Sequence, residues 1–404
     1  MTIDTLIVHT PQGHSGRLFI GADQHYVLRY DPEVNPDCAI SLLMPVRTEE
    51  YRRRELHPIF QMNLPEGFVL EQLRNRLAKT VNVDPMLLLA LSGSYSPIGR
   101  VFVSTPKISE LIQMHDSQAS GERLDEILAW DGKEDIFFEL VERYILRAGI
   151  SGVQPKVLVP EKPETPIQRF TSKTSELIIK SGRDEFPGLA INEFLCMSMA
   201  RDAGLAVPEF YLSANRQMFV MRRFDRDPEL NPIGFEDMAA LMGLSADQKY
   251  SKSYAMIAKA IRLFCPPEQQ RSSLAELFDS VALSCIVGNG DAHLKNFGLL
   301  YSTPLLNDAR LAPAYDIVNT TAYLPEDSLA LELAGNKSLF AARLGILDFA
   351  HTCGIDSPYA RIQKLLLSVE TVLKREVELC EQVPHVVKAI TESAQGFARV
   401  FCKS

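Results

Sequence analysis

The sequence lacks the signatures of several common protein classes. Its seven cysteines are odd in number and scattered, with no C-x-x-C pair, which argues against a disulfide scaffold and against a zinc site. An H-E-x-x-H helix, a G-x-S-x-G turn and a Walker A loop are also missing. No apolar run approaches the ~20 residues that span a membrane, and no basic segment leads into an apolar one at the amino terminus. We therefore expect a cytoplasmic protein with reduced cysteines and no membrane contact.

Positive charge is also scarce. The chain of 404 residues has 42 Lys and Arg against 51 Asp and Glu, a formal net charge of −9. Nucleic-acid binding depends on clustered basic residues that neutralise phosphates, so we expect contact with DNA only indirectly, through a partner. Hydrophobic residues make up 46% of the chain, which is enough to bury two or three cores.

One segment carries residues suited to phosphoryl transfer. The run GNGDAHLKNFG places Asp291 five positions before Asn296, and Asp316 follows in APAYD. In kinases an Asp with this spacing takes the proton of the substrate hydroxyl, while the Asn and a later Asp hold Mg²⁺. Lys295 and His293 lie between them, where each can neutralise or hydrogen-bond phosphate oxygens. We predict a short extended loop with Asp291, Lys295 and His293 as catalytic residues and Asn296 and Asp316 as metal ligands.

The order of the upstream segments supports this prediction. Gly149 and Gly152 precede an apolar strand-like run, and glycines let backbone amides approach phosphates. Two glycines by themselves more often mark a tight turn that opens a hairpin. A second strand-like run ends in Lys180, where a kinase lysine would contact the α- and β-phosphates; a solvated strand end is the plainer alternative. Glu193 begins a helix predicted over 191–203, where it either pairs with Lys180 or only favours the helix dipole.

Together these motifs resemble the HipA-type toxin kinases, the serine/threonine kinases of bacterial toxin–antitoxin pairs. The resemblance covers nearly the whole chain. Its amino-terminal part rests on ISLLMPVR and LHPIFQMNLPEG, and the remainder on SGVQPKVLV, ELIIKSG, INEFLCMSMARDAGL, FVMRRFDRD, FEDMAALMG, NGDAHLKNFG and APAYDIVNT, all in family order.

The resemblance implies roles for residues outside the catalytic loop. ATP would contact a phosphate loop, a strand lysine and a hinge, which in this sequence are Ser151, Gly152, Val153, Gln154 and Lys156, then Lys180, then Met221, Arg222, Arg223 and Phe224. The family often carries an autophosphorylated serine where this chain has Gly149. We predict that Ser151, which is still in the loop, takes that role.

The implied function is that of an ATP- and Mg²⁺-dependent serine/threonine protein kinase that phosphorylates an aminoacyl-tRNA synthetase and arrests growth. Its implied partner is a small helix-turn-helix antitoxin that binds operator DNA. Two alternatives stay open. The D-x-H-x-x-N loop also occurs in lipid and small-molecule kinases, and a pseudokinase-like scaffold could act only as a corepressor bound to a DNA-binding antitoxin. The intact base and metal-ligand positions weigh against the scaffold.

We predict an α+β, two-lobed protein-kinase-like fold with an extra N-terminal α+β subdomain and a mainly helical C-terminal lobe. Short alternating runs predict strands over 6–8, 17–20 and 26–30, and apolar spacing predicts a helix over 359–382. The expected domains are an N-terminal subdomain at 1–105, a connector at 106–135, a nucleotide-binding N-lobe at 136–226, and a helical C-lobe with the catalytic loop at 227–404.

Overall fold

The computed structural model describes residues 3–77, 83–106, 108, 121–130, 136–144, 154–162, 176–182 and 186–402. Across these ranges the chain mixes helices and sheets and forms two compact units, each assembled from separate segments. The first unit comprises Met1–Ser181, Ser213–Ala246 and Leu300–Asn307, and the second comprises Gly182–Leu212, Asp247–Leu299 and Asp308–Ser404. The division into four domains stays a prediction.

The strands, in chain order, are β1 Thr5–Thr10, β2 Gly13–Ile20, β3 Tyr26–Tyr30, β4 Tyr51–Arg53, β5 Phe102–Ser104, β6 Lys156–Pro160, β7 Glu176–Ser181, β8 Phe210–Leu212, β9 Met218–Arg222, β10 Gly234–Asp237, β11 Gly298–Tyr301 and β12 Arg310–Leu311. The α-helices are α1 Pro58–Gln61, α2 Gly67–Leu77, α3 Pro85–Tyr95, α4 Leu124–Ala129, α5 Ile136–Tyr144, α6 Leu189–Asp202, α7 Met238–Leu241, α8 Tyr254–Phe264, α9 Pro267–Val287, α10 Leu339–Cys353, α11 Pro358–Arg375, α12 Val377–Gln382 and α13 Pro384–Phe401. None of these helices is long and apolar enough to cross a membrane.

The amino-terminal sheet of the first unit has the strand order β4-β3-β2-β1-β5. Its pairs are antiparallel, with Leu6 opposite Leu18 and Leu18 opposite Leu28. Alternation explains why β1 is a strand, because Leu6 and Val8 are fully buried while Ile7 between them faces solvent. The three strands predicted over 6–8, 17–20 and 26–30 are therefore confirmed.

A second sheet of the first unit contains β6, β7 and β9 in antiparallel pairs. All five residues of β6 are buried, although β6 stands at the end of the described strand order β6-β7-β9-β8. The strand-like run predicted to end in Lys180 is confirmed as β7, which continues one residue further to Ser181.

The second unit is built around α9, which contacts α6, α8, α10, α11 and α13. Pro267 occupies the first turn of α9, where its missing N–H costs nothing, and the helix buries Leu277, Phe278 and Val281 against its neighbours. The helix predicted over 191–203 is confirmed as α6, whose burial is nearly continuous from Ala190 to Ala200.

The single helix predicted over 359–382 is wrong, because the chain forms α11 and then α12 with a break at Glu376. Glu376 has φ −96° and ψ 42°, outside the helical region, although its N–H still bonds to the carbonyl of Val372. Val372 and Leu379 are both buried and lie two helical turns apart, so the apolar period runs through the break unchanged. Periodicity alone could not reveal this interruption.

Candidate active site

The catalytic loop starts at the end of α9, where Gly288 adopts the left-handed φ of +76°. A Cβ atom at Gly288 would lie 2.8 Å from Thr321 Oγ1 and 3.0 Å from Asn319 Nδ2, so both the backbone angle and the space favour glycine. Beyond it, Asn289 Oδ1 accepts the N–H of Asp291 at 3.0 Å. Gly290 N–H donates to Thr320 Oγ1 at 2.8 Å. These bonds fix the backbone that carries Asp291.

The carboxylate of Asp291 accepts a hydrogen bond at Oδ1 from the hydroxyl of Tyr250 at 2.8 Å. Asp291 is open to solvent on one side, yet the protein around it removes enough water to raise the pKa of its carboxyl. The Tyr250 hydrogen bond and the nearby Lys249 ammonium oppose that rise, whereas the carboxylates of Asp316 and Asp327 add to it. A carboxyl with a raised pKa is suited to general-base work near neutral pH.

Asn296 and Asp316 come together as the sequence predicts. The loop between Asp291 and Asn296 is extended only at its start, because residues Leu294–Asn296 form one turn of 3₁₀ helix. The prediction of an extended loop is therefore wrong for these three residues. Asn296 is 7% exposed and its Nδ2 donates to Asp316 Oδ2 at 3.2 Å. Asp316 holds a left-handed φ of +61°, a strained conformation that is most often kept at functional positions.

This pair fits a hard cation such as Mg²⁺. The buried Oδ1 of Asn296 accepts no hydrogen bond from any residue in the described part of the chain, and it lies beside a carboxylate. Amide and carboxylate oxygens are the donors that Mg²⁺ prefers. In the same described ranges, no three His, Cys, Asp or Glu side chains come together as an all-protein metal cage. Mg²⁺ bound by few protein oxygens completes its shell with water and phosphate oxygens, as at nucleotide sites.

His293 and Lys295 lie on the loop with different surroundings. His293 is buried, and burial together with the Lys249 ammonium lowers the pKa of its imidazole to about 3. It is therefore neutral at pH 7 and can hydrogen-bond a phosphate but cannot neutralise it. Lys295 is half-buried, and its carbonyl accepts the hydroxyl of Tyr315 at 2.6 Å. Of the two, only Lys295 carries a positive charge.

The two predicted strand lysines lie in the second sheet of the first unit. Lys156 and Lys180 are direct cross-strand partners, at 5% and 2% exposure. Side chains that face each other in an antiparallel pair share one face of the sheet, and two ammonium groups on one face repel unless anionic groups stand near them. The Lys180 ammonium also lies 5.7 Å from the centre of the Phe219 ring. Gln154 is half-buried, while Ser151, Gly152 and Val153 lie outside the described residues.

The predicted hinge residues are largely engaged in other contacts. Met221 is buried, and Phe224 packs edge-on against Phe235 with ring centres 5.6 Å apart. Arg222 forms a bidentate ion pair with Glu161, one branch of which is 2.8 Å long.

The guanidinium of Arg223 is only 3% exposed, and it pairs with Glu176 and Asp225 at 2.6 Å each. Arg222 and Arg223 therefore direct their side chains into ion pairs of the first unit, so any adenine contact at this position would be made by the backbone.

Tyr250 and Lys249 are site residues that the sequence did not reveal. They lie in a turn region with no motif, 41 residues before the aspartate in the case of Tyr250. Thr320 is a third, and it both accepts the Gly290 N–H and hydrogen-bonds the carboxylate of Asp327. No spacing rule links these residues to Asp291, because only the tertiary fold brings them together.

Comparison with known proteins gives the family of this α+β chain. The family model of the HipA N-terminal domain matches residues 6–104, and the family model of the HipA-like C-terminal domain matches residues 148–383. The chain belongs to the HipA family, which confirms the resemblance drawn from its motifs.

Individual relatives agree with this assignment. A Sinorhizobium fredii protein named "Putative kinase Y4dM" is 33% identical over 354 residues, which cover 81% of this chain and 78% of that protein. A second from the same organism, "Putative kinase Y4mE", is 28% identical over 368 residues, covering 84% and 83%. A chain of the Shewanella oneidensis MR-1 complex of HipA, HipB and operator DNA aligns with a TM-score of 0.65 at 17% identity, covering 98% and 97%. That likeness shows a shared fold and confirms the α+β class.

Proposed function

We propose that this chain is an ATP- and Mg²⁺-dependent serine/threonine protein kinase that acts as the toxin of a toxin–antitoxin pair. The observation that carries the proposal is the loop geometry of the second unit, in which Asp291 is fixed at the end of α9 and Asn296 meets Asp316 with a buried amide oxygen left for a cation. Membership of the HipA family and the kinase names of the relatives support the same activity.

Each residue has a defined task in this proposal. Asp291 orients the acceptor hydroxyl and takes its proton as the oxygen attacks the γ-phosphorus of ATP. Asn296 and Asp316 would hold Mg²⁺, which when bound neutralises charge on the phosphate oxygens. Lys295 adds a fixed positive charge on the loop, and neutral His293 offers a hydrogen bond.

Nucleotide binding is assigned to the first unit. Lys156 and Lys180 share one sheet face and supply the charge for the α- and β-phosphates. Gly152, Val153 and Gln154 complete the proposed phosphate loop, and the backbone of residues 221–224 the proposed hinge.

The proposed partner is a small helix-turn-helix antitoxin, with DNA contacted only through it. The Shewanella oneidensis structure contains HipA together with HipB and operator DNA. The net charge of −9 agrees with an indirect contact, because an acidic chain neutralises few phosphates by itself. The proposed target is an aminoacyl-tRNA synthetase and the proposed result is growth arrest, as the motif resemblance implies. The proposed location is the cytoplasm.

The test is transfer of label from γ-³²P-ATP in a bacterial lysate, with separate analysis of proteins and small molecules. A discrete labelled protein that appears with the wild type and fades with Asp316→Asn supports the protein kinase. Label in a small molecule alone would identify a small-molecule phosphotransferase. ATP binding without transfer to any acceptor would instead favour the corepressor scaffold.

Asp316→Asn is expected to weaken Mg²⁺ binding about tenfold or more, because the proposed pair of ligands loses its carboxylate. Asn tolerates the left-handed backbone at this position, so the variant changes charge with little added strain. Titration calorimetry with MgCl₂ in the presence of a non-hydrolysable ATP analogue measures the affinity. Asp356→Asn, at an exposed aspartate that pairs with exposed Arg271, is the matched control. Equal Mg²⁺ affinities for the two variants would remove Asp316 from the metal site.

Ser151 is expected to become phosphorylated when the protein is incubated with ATP and Mg²⁺. A phosphate at that position, with a charge near −2, would compete with ATP for the donors of the proposed phosphate loop. Intact-mass and peptide mass spectrometry locate the modification, and Ser151→Ala should abolish it. Phosphate found only on other residues, or on none while other proteins are labelled, would exclude Ser151.

A further inference from the structure

Tyr250 makes a direct contact with the proposed base. Its hydroxyl lies 2.8 Å from Asp291 Oδ1, and since an ionised carboxylate can only accept, the tyrosine donates. This is also the distance at which the hydroxyl of an acceptor must stand to give its proton to the same carboxylate. Tyr250 is 42% exposed, although both its ring and its hydroxyl make contacts.

The position of Tyr250 is held from several sides. The ammonium of Lys337 donates to the carbonyl of Tyr250 at 3.1 Å. Its ring meets the ring of His293 edge-on, with centres 5.2 Å apart. The preceding Lys249 places its ammonium 5.2 Å from the centre of the tyrosine ring, and its carbonyl accepts the N–H of Leu294 at 3.1 Å. The backbone of Lys249 and the side chain of Tyr250 therefore both contact the proposed catalytic loop.

We propose that Tyr250 is a positioning residue whose hydroxyl holds Oδ1 of Asp291, so that the carboxylate stays oriented and Oδ2 receives the proton of the acceptor. The inference rests on the proposed function of Asp291 as the base. A carboxylate accepts at both oxygens, so a bond to Oδ1 leaves Oδ2 available. A carboxylate with one oxygen fixed loses rotational freedom before the acceptor arrives, and that preorganisation favours proton transfer.

The hydroxyl of Tyr250 has a second effect, on the pKa of Asp291. Burial and the carboxylates of Asp316 and Asp327 disfavour the ionised base, whereas the Tyr250 hydrogen bond and the Lys249 ammonium favour it. His293 next to it is neutral near pH 7 because its pKa is about 3, so it adds no charge. Removing the tyrosine hydroxyl therefore raises the pKa of Asp291, and a larger fraction of the base is protonated at any pH below neutrality.

The test compares Tyr250→Phe with the wild type and with Tyr359→Phe. Phenylalanine keeps the ring against His293 and Lys249 and removes only the hydroxyl. Tyr359 on α11 is also exposed and packs edge-on against Phe401 on α13. It therefore controls for the loss of a tyrosine hydroxyl outside the proposed site. Transfer of phosphate to dephosphorylated casein is measured from pH 5 to 9, which gives kcat, KM for ATP and the acid limb of the kcat profile.

Loss of a hydrogen bond to an ionised group is expected to lower kcat of Tyr250→Phe about tenfold. KM for ATP should stay unchanged, and the acid limb should move to higher pH. Tyr359→Phe should match the wild type in all three. A higher kcat/KM in Tyr250→Phe would mean that the tyrosine blocks the acceptor position. An unchanged kcat with an unmoved acid limb would mean that the tyrosine hydroxyl does not position Asp291. Either result overturns the proposal.

A readout without turnover separates this inference from the proposed function. Carboxyl carbons of ¹³C-aspartate are titrated by NMR in the wild type and in Tyr250→Phe, and the Asp291 signal is assigned from its loss in Asp291→Asn. The pKa of Asp291 should be higher in Tyr250→Phe even if neither casein nor any lysate protein is phosphorylated. Absence of phosphorylation in both assays would defeat the kinase assignment, but the role of the Tyr250 contact would stand. Equal pKa values in the two proteins would overturn the role of Tyr250 even in an active kinase.

Discussion

Asp291→Asn is expected to lower the rate of phosphoryl transfer by about 10²–10⁴-fold, the range typical of losing a general base. The asparagine amide has the size of the carboxylate but takes no proton at neutral pH. Its Oδ1 can still accept the hydrogen bond of the Tyr250 hydroxyl at the same position, so we expect the loop conformation to stay unchanged. The loss should therefore appear in kcat and leave ATP binding intact.

Steady-state and single-turnover assays with γ-labelled ATP measure this loss, and titration calorimetry with ATP checks binding. Asp356→Asn serves as the control because Asp356 is 84% exposed and pairs with a surface arginine. A wild-type rate for Asp291→Asn would remove Asp291 from catalysis. Loss of ATP binding in the same variant would instead point to a disturbed site.

Arg223→Met is expected to reduce the free energy of unfolding by about 3–5 kcal/mol, the usual cost of removing one partner from a buried ion pair. The guanidinium of Arg223 lies between Glu176 and Asp225, both under 10% exposed, and its Nη2 also donates to the carbonyl of Pro97 at 2.7 Å. Arg226 contacts the same two carboxylates, so the intact cluster has two charges of each sign. Methionine leaves one negative charge buried without compensation.

Urea unfolding at pH 7 measures this change, with Arg271→Met as the control. Arg271 is 90% exposed in its pair with Asp356, and such surface pairs contribute little, so the control should change stability by less than about 1 kcal/mol. Adding Glu176→Gln to Arg223→Met removes the uncompensated charge and should restore part of the stability. A loss below about 1 kcal/mol in Arg223→Met would show that the cluster is not a source of stability.

The same cluster makes stability depend on pH. Burial by itself would raise the pKa of Asp225, but Arg223 and Arg226 outweigh burial and hold that pKa well below its ordinary range. A carboxyl whose pKa is lowered by folding stabilises the native state above its unfolded pKa of about 3.9, and this contribution is lost as pH falls toward the folded value. The wild type should therefore lose stability below about pH 4 through Asp225, and Arg223→Met should lose less there.

Local patterns account for what could be predicted. The alternation of Leu6, Ile7 and Val8 predicts a strand with one buried face, whatever its position in the sheet. Successive side chains of any strand point to opposite faces, so this pattern depends on the backbone alone. The five-residue spacing from Asp291 to Asn296 likewise keeps both residues on one short loop. The interruption at Glu376 was missed because the apolar period of α11 continues into α12.

The sequence by itself determined the HipA family, the α+β class, and the loop that brings Asp291 and Asn296 together. Only the tertiary structure decided which groups surround them, since those contacts join distant parts of the chain. Arg223 contacts Ser96 across 127 positions, and Tyr250 contacts Asp291 across 41. A spacing rule describes neighbours along one element, whereas the burial and charge of a side chain depend on every element packed against it. For that reason Arg223, which was predicted as a hinge residue, proved to be an ion-pair partner of the first unit. Tyr250, a residue without a motif, proved to contact the proposed base Asp291.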